Sequence, residues 1–90
     1  MIIIHPSTRF KRSYKKMPVK IKKDFSKKIK LFQKDPFQSS LNTHKLKGRL
    51  GEYYSFYLKD GYQVLLDFIG ENTTILVNIG SHKDYSKWNR

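Results

Sequence analysis

The stretch EYYSFYLKDGYQVLLDFIGENTTILVNIGSHKDY, residues 52–85, holds three successive apolar, β-rich runs separated by turn residues. Residues 53–58 alternate, with Tyr54, Phe56 and Leu58 on one face and Tyr53, Ser55 and Tyr57 on the other, the pattern of a strand with one packed face. Lys59, Asp60 and Gly61 turn the chain. Residues 62–68 then resume the alternation, with Val64, Leu66 and Phe68 inward and Gln63, Leu65 and Asp67 outward. A second turn at Gly70, Glu71 and Asn72 leads into a third run, residues 74–79. Links this short hold no crossover, so the three strands form an antiparallel meander. Its other face carries Ser55, Tyr57, Gln63 and Asn78, with His82 just beyond the last strand, and reads as an open, functional face.

Upstream lie the elements that cover the apolar face. Ile2, Ile3 and Ile4 form a β-branched run suited to a strand buried on both sides, ended by Pro6. Pro6, Ser7 and Thr8 make a helix start, after which Phe10, Tyr14 and Met17 recur at i, i+4 and i+7. Pro18 breaks that helix and opens a second one, in which Ile21, Phe25, Ile29 and Phe32 keep one apolar stripe among many lysines. Asp35-Pro36 stops it, because the residue before proline is pushed out of the helical region. The spacing therefore predicts an α+β fold: an N-terminal strand and a helical hairpin packed on an antiparallel sheet of three to four strands. Residues 37–41 read as a loop with room for one helical turn, residues 44–48 as an extended approach to the meander, and residues 86–90 as a short tail.

Ninety residues make a single domain, 1–90, with one modest core. Lysine and arginine number 19 against 7 acidic residues, net +12 with a sequence pI near 10.0, which points to a polyanionic partner, nucleic acid first. No apolar run approaches the roughly 18 residues of a membrane span, and the Met1-Ile2-Ile3-Ile4-His5 opening is too short for a signal peptide. The expectation is a cytoplasmic protein without a membrane partner. There is no cysteine, and His5, His44 and His82 are not paired at ligand spacing, so no metal or other cofactor is expected.

The basic side chains Lys45, Lys47, Arg49, Lys59 and Lys83 flank the polar face and suit phosphates, while Tyr53, Tyr57, Tyr85 and Trp88 suit stacking on unpaired bases. The plainer alternative is that the lysines solvate a small domain and the aromatics cap its core. A histidine such as His82 can move a proton to or from a ribose hydroxyl or a leaving oxygen, or simply hold a loop. His44 reads as a residue fixing the approach to the sheet.

The order of strand, helical hairpin, HKLKG (residues 44–48) and a meander ending in IGSHKDY (residues 79–85) resembles the RelE/ParE superfamily of bacterial type II toxins over nearly the whole chain. The resemblance implies a compact α+β toxin neutralised by a cognate antitoxin. In the RelE, YafQ and HigB-like branches it also implies a ribosome-dependent endoribonuclease that cuts mRNA and inhibits translation. That chemistry needs no metal: the ribose 2′-hydroxyl attacks the adjacent phosphate, leaving a 2′,3′-cyclic phosphate and a 5′-hydroxyl. His82 stands where the family places a histidine or arginine after the last strand, and Tyr85 and Trp88 where its terminal aromatic falls. Members often carry basic residues at the positions of Ser55 and Tyr57, and an arginine at that of Gln63, whose neutral amide lacks the charge and fork of guanidinium. The implied catalytic set is His82, with Tyr85 and Tyr57 as orienting or stacking groups, and the RNA-binding set is Lys45, Lys47, Arg49, Lys59, Gln63, Lys83 and Trp88. Two other readings stand beside it: a ParE-like toxin that binds a protein target such as DNA gyrase, and a catalytically degenerate RNA-binding module.

Overall fold

The computed structural model describes residues 1–88; of the tail expected at residues 86–90, Asn89 and Arg90 lie outside the described residues. The strands are β1 (Ile3–Pro6), β2 (His44–Lys45), β3 (Tyr54–Tyr57), β4 (Gln63–Gly70) and β5 (Thr73–Gly80), and the α-helices are α1 (Thr8–Lys15), α2 (Val19–Lys34) and α3 (His82–Trp88). All five strands share one sheet in the order β1-β5-β4-β3-β2. The β3-β4-β5 meander is antiparallel as its short turns require, with Phe56 opposite Val64 and Val64 opposite Ile79. The first turn uses positive φ at Asp60 and Gly61.

The architecture is α+β, and it differs from the expected sheet in three ways. β1 pairs parallel to β5, Ile3 opposite Thr73, so the sheet is mixed and has five strands. β1 is also an edge strand, with Ile3 56 % exposed, so its β-branched run is not buried on both sides. Parallel pairing is possible here because the connection from β1 to β5 carries both long helices. The third difference is α3, a helix where a tail was expected.

Ser7 caps α1, its hydroxyl accepting from the Phe10 N–H at 3.0 Å. Pro18 lies at the start of α2, where its missing N–H costs nothing, and Asp35 leaves the helical region at its end. Ile21 and Phe32 of α2 and Phe10 of α1 are buried with Phe56, Leu58, Val64, Leu66, Leu76 and Ile79. Phe32 stacks on Phe56 at 5.2 Å between ring centroids, which locks the helical hairpin onto the sheet. Burying one such phenylalanine contributes about 1.5–3 kcal/mol.

Candidate functional site

The meander's other face is covered rather than open. Leu46 and Leu50, from the connection between β2 and β3, pack with Leu65 of β4 against Tyr53, Val77, Tyr85 and Trp88 as a second, smaller core. Ser55 is 0 %, Gln63 2 % and Asn78 5 % exposed. The buried polar atoms are satisfied internally: Ser55 Oγ donates to Gln63 Oε1 at 2.8 Å, and Asn78 Oδ1 accepts from Ser13 Oγ at 2.6 Å and from the Ile79 N–H at 2.9 Å. The expectation that Gln63 faces solvent is therefore corrected. Its alternating position puts it opposite the first core, but α3 and the leucines at 46 and 50 close over it.

The helix that does this was legible in part. Ser81-His82-Lys83-Asp84 is a capping box: the Asp84 N–H donates to Ser81 Oγ at 3.3 Å, while Asp84 Oδ2 accepts from the Ser81 N–H at 3.0 Å. Tyr85 and Trp88, three residues apart, then turn inward. α3 lies so close to β5 that a Cβ at Gly80 would stand 2.7 Å from Asp84 Cβ and 2.9 Å from Trp88 Cζ2.

Register brings a compact group to one end of this face. Tyr57 is opposite Gln63, and Gln63 opposite Gly80, after which α3 begins with His82. His44 pairs with Ser55 and therefore shares its face. Its ring stacks on Tyr57 at 5.4 Å. His44 Nδ1 lies 2.8 Å from the Asn42 carbonyl oxygen, which only accepts, so Nδ1 carries the hydrogen and Nε2 of the neutral ring presents a lone pair. Burial, and then the neighbouring Tyr57, push the Tyr85 phenol above its ordinary pKa, so it holds its proton at neutral pH and serves as a donor. His82 is exposed at the start of α3, beside the Gly61 turn.

His44 is the residue that sequence reasoning missed. Its signal was the two-residue period: the strand that pairs with β3 had to place either His44 or Lys45 on the Ser55 and Tyr57 face. Register selects His44, and Lys45 pairs with Tyr54 and lies on the opposite face. Lys59 is also set apart, lining a cleft with Lys20, Lys23, Asp24 and Lys27 on the α2 side. Its backbone N–H donates to Asp24 Oδ2 at 2.8 Å. Lys47, Arg49 and Lys83 are exposed on the segments that cover the face, and Trp88 is half-buried, 6.3 Å from Tyr85. Of the residues singled out from sequence, Tyr57 lies opposite Gln63 and near Tyr85, with His44 added.

A second concavity of about 500 Å³ lies between α1 and the end of α3, lined by Arg9, Arg12, Ser13, Lys16, Asn78 and Trp88. Among the described residues there is no group of three His, Cys, Asp or Glu side chains placed to hold a metal ion, and no helix is long and apolar enough to cross a membrane.

No family model matches the chain, and no curated protein matches it by sequence. Solved structures do. YafQ from E. coli strain BL21(DE3) superposes with a TM-score of 0.77 at 12 % identity, covering 94 % of this chain and 98 % of that one. The RelB–RelE antitoxin–toxin complex from Methanococcus jannaschii gives 0.75 at 20 % identity, over 96 % and 99 % of the two chains. The isolated E. coli RelE toxin gives 0.70 at 18 % identity, over 98 % and 95 %. Five mixed strands, a helical hairpin on one face and a short C-terminal helix on the other thus give this chain the fold of the RelE and YafQ toxins, as the resemblance in its sequence implied.

Proposed function

We infer that this chain is the toxin of a type II toxin–antitoxin pair and that it acts as a ribosome-dependent mRNA endoribonuclease. The observation that carries the reading is the His44 imidazole, stacked on Tyr57 with Nδ1 bound to the Asn42 carbonyl and Nε2 free. Such a ring accepts the proton of a ribose 2′-hydroxyl. The 2′-oxygen then bonds to the adjacent phosphorus, the bond from phosphorus to the 5′-oxygen breaks, and a proton from His82 completes the new 5′-hydroxyl. The other product is a 2′,3′-cyclic phosphate. Tyr85, protonated at neutral pH, donates a hydrogen bond to a non-bridging phosphate oxygen. Lys47, Arg49 and Lys83 attract the strand from the rim. The net charge of +12 favours an antitoxin with an acidic segment, captured rapidly and in a salt-sensitive way.

One observation favours the rival class, a toxin that binds a protein target such as gyrase: Gln63, opposite Tyr57, is buried, uncharged and engaged by Ser55. Mapping mRNA 5′ ends after induction separates the two. Wild type is expected to produce cuts that bear 5′-hydroxyls. His44→Ala and His82→Ala each lower cutting about 10²-fold or more. Growth arrest without cuts refutes the nuclease reading, and full activity of His44→Ala refutes the assignment of the base.

A further inference from the structure

We propose that the cleft between α1 and α3 is a second RNA subsite, which grips the phosphodiester backbone of a single strand and stacks one of its bases on Trp88. The proposal rests on the endoribonuclease reading for its choice of RNA. It adds a site that this reading does not use, on a different edge of the sheet.

Arg9, Arg12 and Lys16 lie at i, i+3 and i+7, so they share one face along α1 and its C-terminal cap. At about 1.5 Å rise per residue the row is roughly 10 Å long, enough to meet more than one phosphate of a strand. Among the described residues the ion pairs are Lys20 with Asp60 and Lys28 with Asp24, and none involves Arg9, Arg12 or Lys16. Three cations converge on a concavity with no carboxylate in its lining.

The floor is oriented as well as charged. The Ile79 N–H can only donate, so the Asn78 atom it meets is Oδ1, and Ser13 Oγ donates to the same oxygen. Nδ2 is thereby turned away from both as a free donor, at a residue that lines the cleft. Trp88 closes one end, held against Leu46, Leu50 and Leu65 and near Tyr85, so its ring is a fixed platform. The lining contains no aliphatic side chain. An amphipathic acidic peptide needs apolar surface for its other half, whereas a polynucleotide needs cations, donors and a π-face, and these are what the cleft offers.

Trp88 is the only tryptophan and lines this cleft, so its fluorescence reports binding there. The full chain is titrated with a fully 2′-O-methylated oligoribonucleotide, which cannot be cut by attack of a 2′-hydroxyl, and with poly-glutamate at equal ionic strength. Saturable quenching by the oligonucleotide is expected. Arg9→Gln with Arg12→Gln should weaken it at least tenfold and flatten the slope of log K against log salt by about 1.4, two phosphates at ~0.7 each. His44→Ala should leave quenching unchanged, so a failure of the catalytic reading and a failure of this one are distinguishable. Quenching indifferent to the arginine pair overturns the proposal, as does quenching by poly-glutamate but not by the oligonucleotide, which would make the cleft a protein-docking site. Because Arg9 and Arg12 are exposed on α1, their replacement keeps the fold, and an unchanged melting curve verifies this.

Discussion

The two faces of the sheet are buried by different means. The face under α1 and α2 is mostly apolar, filled by Phe32, Phe56, Val64, Leu66 and Ile79 with Thr74 as a buried polar exception, and its burial follows from hydrophobic periodicity. The face under α3 alternates polar and apolar residues, yet Ser55 and Gln63 are as inaccessible as the phenylalanines. There Ser55 and Gln63 satisfy each other, and Leu46, Leu50, Tyr85 and Trp88 supply the cover. Polar alternation along a strand therefore identifies the face that is not the main core. Whether that face meets water depends on short segments elsewhere in the chain.

The contrast is tested most severely at Phe56. Phe56→Ala, on the apolar face, should cost about 3–5 kcal/mol in urea unfolding, through lost transfer energy and the cavity left behind. A cost below about 1 kcal/mol would mean that this face is not the stability core.

Gly80→Ala comes next. Its methyl group would overlap Asp84 Cβ and Trp88, so α3 must shift, at a cost of about 1–3 kcal/mol. Trp88 emission should move to longer wavelength as its cover loosens. An unchanged spectrum would show that α3 does not seal the second face.

Ser55→Ala sharpens the polar side of the comparison. It strips Gln63 Oε1 of its donor, and about 1–2 kcal/mol should be lost. Adding Gln63→Leu should recover most of that, because both halves of the buried pair are then gone. A double variant as unstable as the sum of the singles would break the view of Ser55 and Gln63 as one internal unit.

The smallest effect belongs to the polar pin on the helical side. Asp24 is partly buried, which raises its pKa, but the Lys59 N–H and Lys28 outweigh this and hold the carboxyl below its usual range. A depressed folded-state pKa stabilises the fold above the unfolded value, near ~3.9, and that contribution disappears as pH falls through the lower folded value. Asp24→Asn should thus cost about 1 kcal/mol at neutral pH and progressively less in acid, read from melting curves across that range. A gap between the two proteins that is constant with pH would remove Asp24 from the account.

Much of the fold was legible because its signals are local. Pro18 and Asp35-Pro36 bound α2, and Asp60-Gly61 and residues 70–72 fix the hairpins. The parallel pairing of β1 was not, since nothing near Ile3 specifies Thr73 as its neighbour. At the site, Tyr57, Tyr85 and His82 could be read from position along the meander. His44 required the register of a two-residue strand, and the Arg9, Arg12 and Lys16 row was masked by a chain in which basic residues are common. Burial of Gln63 depends on α3, whose capping box is visible in the sequence but whose packing on the sheet is not.

The pairing of β1 with β5 also governs when a nascent chain can complete its fold. Ile3 finds its neighbour only after Thr73 has been made, so the sheet closes over a loop of about seventy residues, and such long-range closure is slow. Two of the groups assigned to chemistry arrive last, His82 and Tyr85 following β5 directly. A chain interrupted before residue 73 lacks both the strand that completes the sheet and the helix that shuts its second face. Synthesis itself thus withholds the closed sheet until β5 and the helix after it have been made.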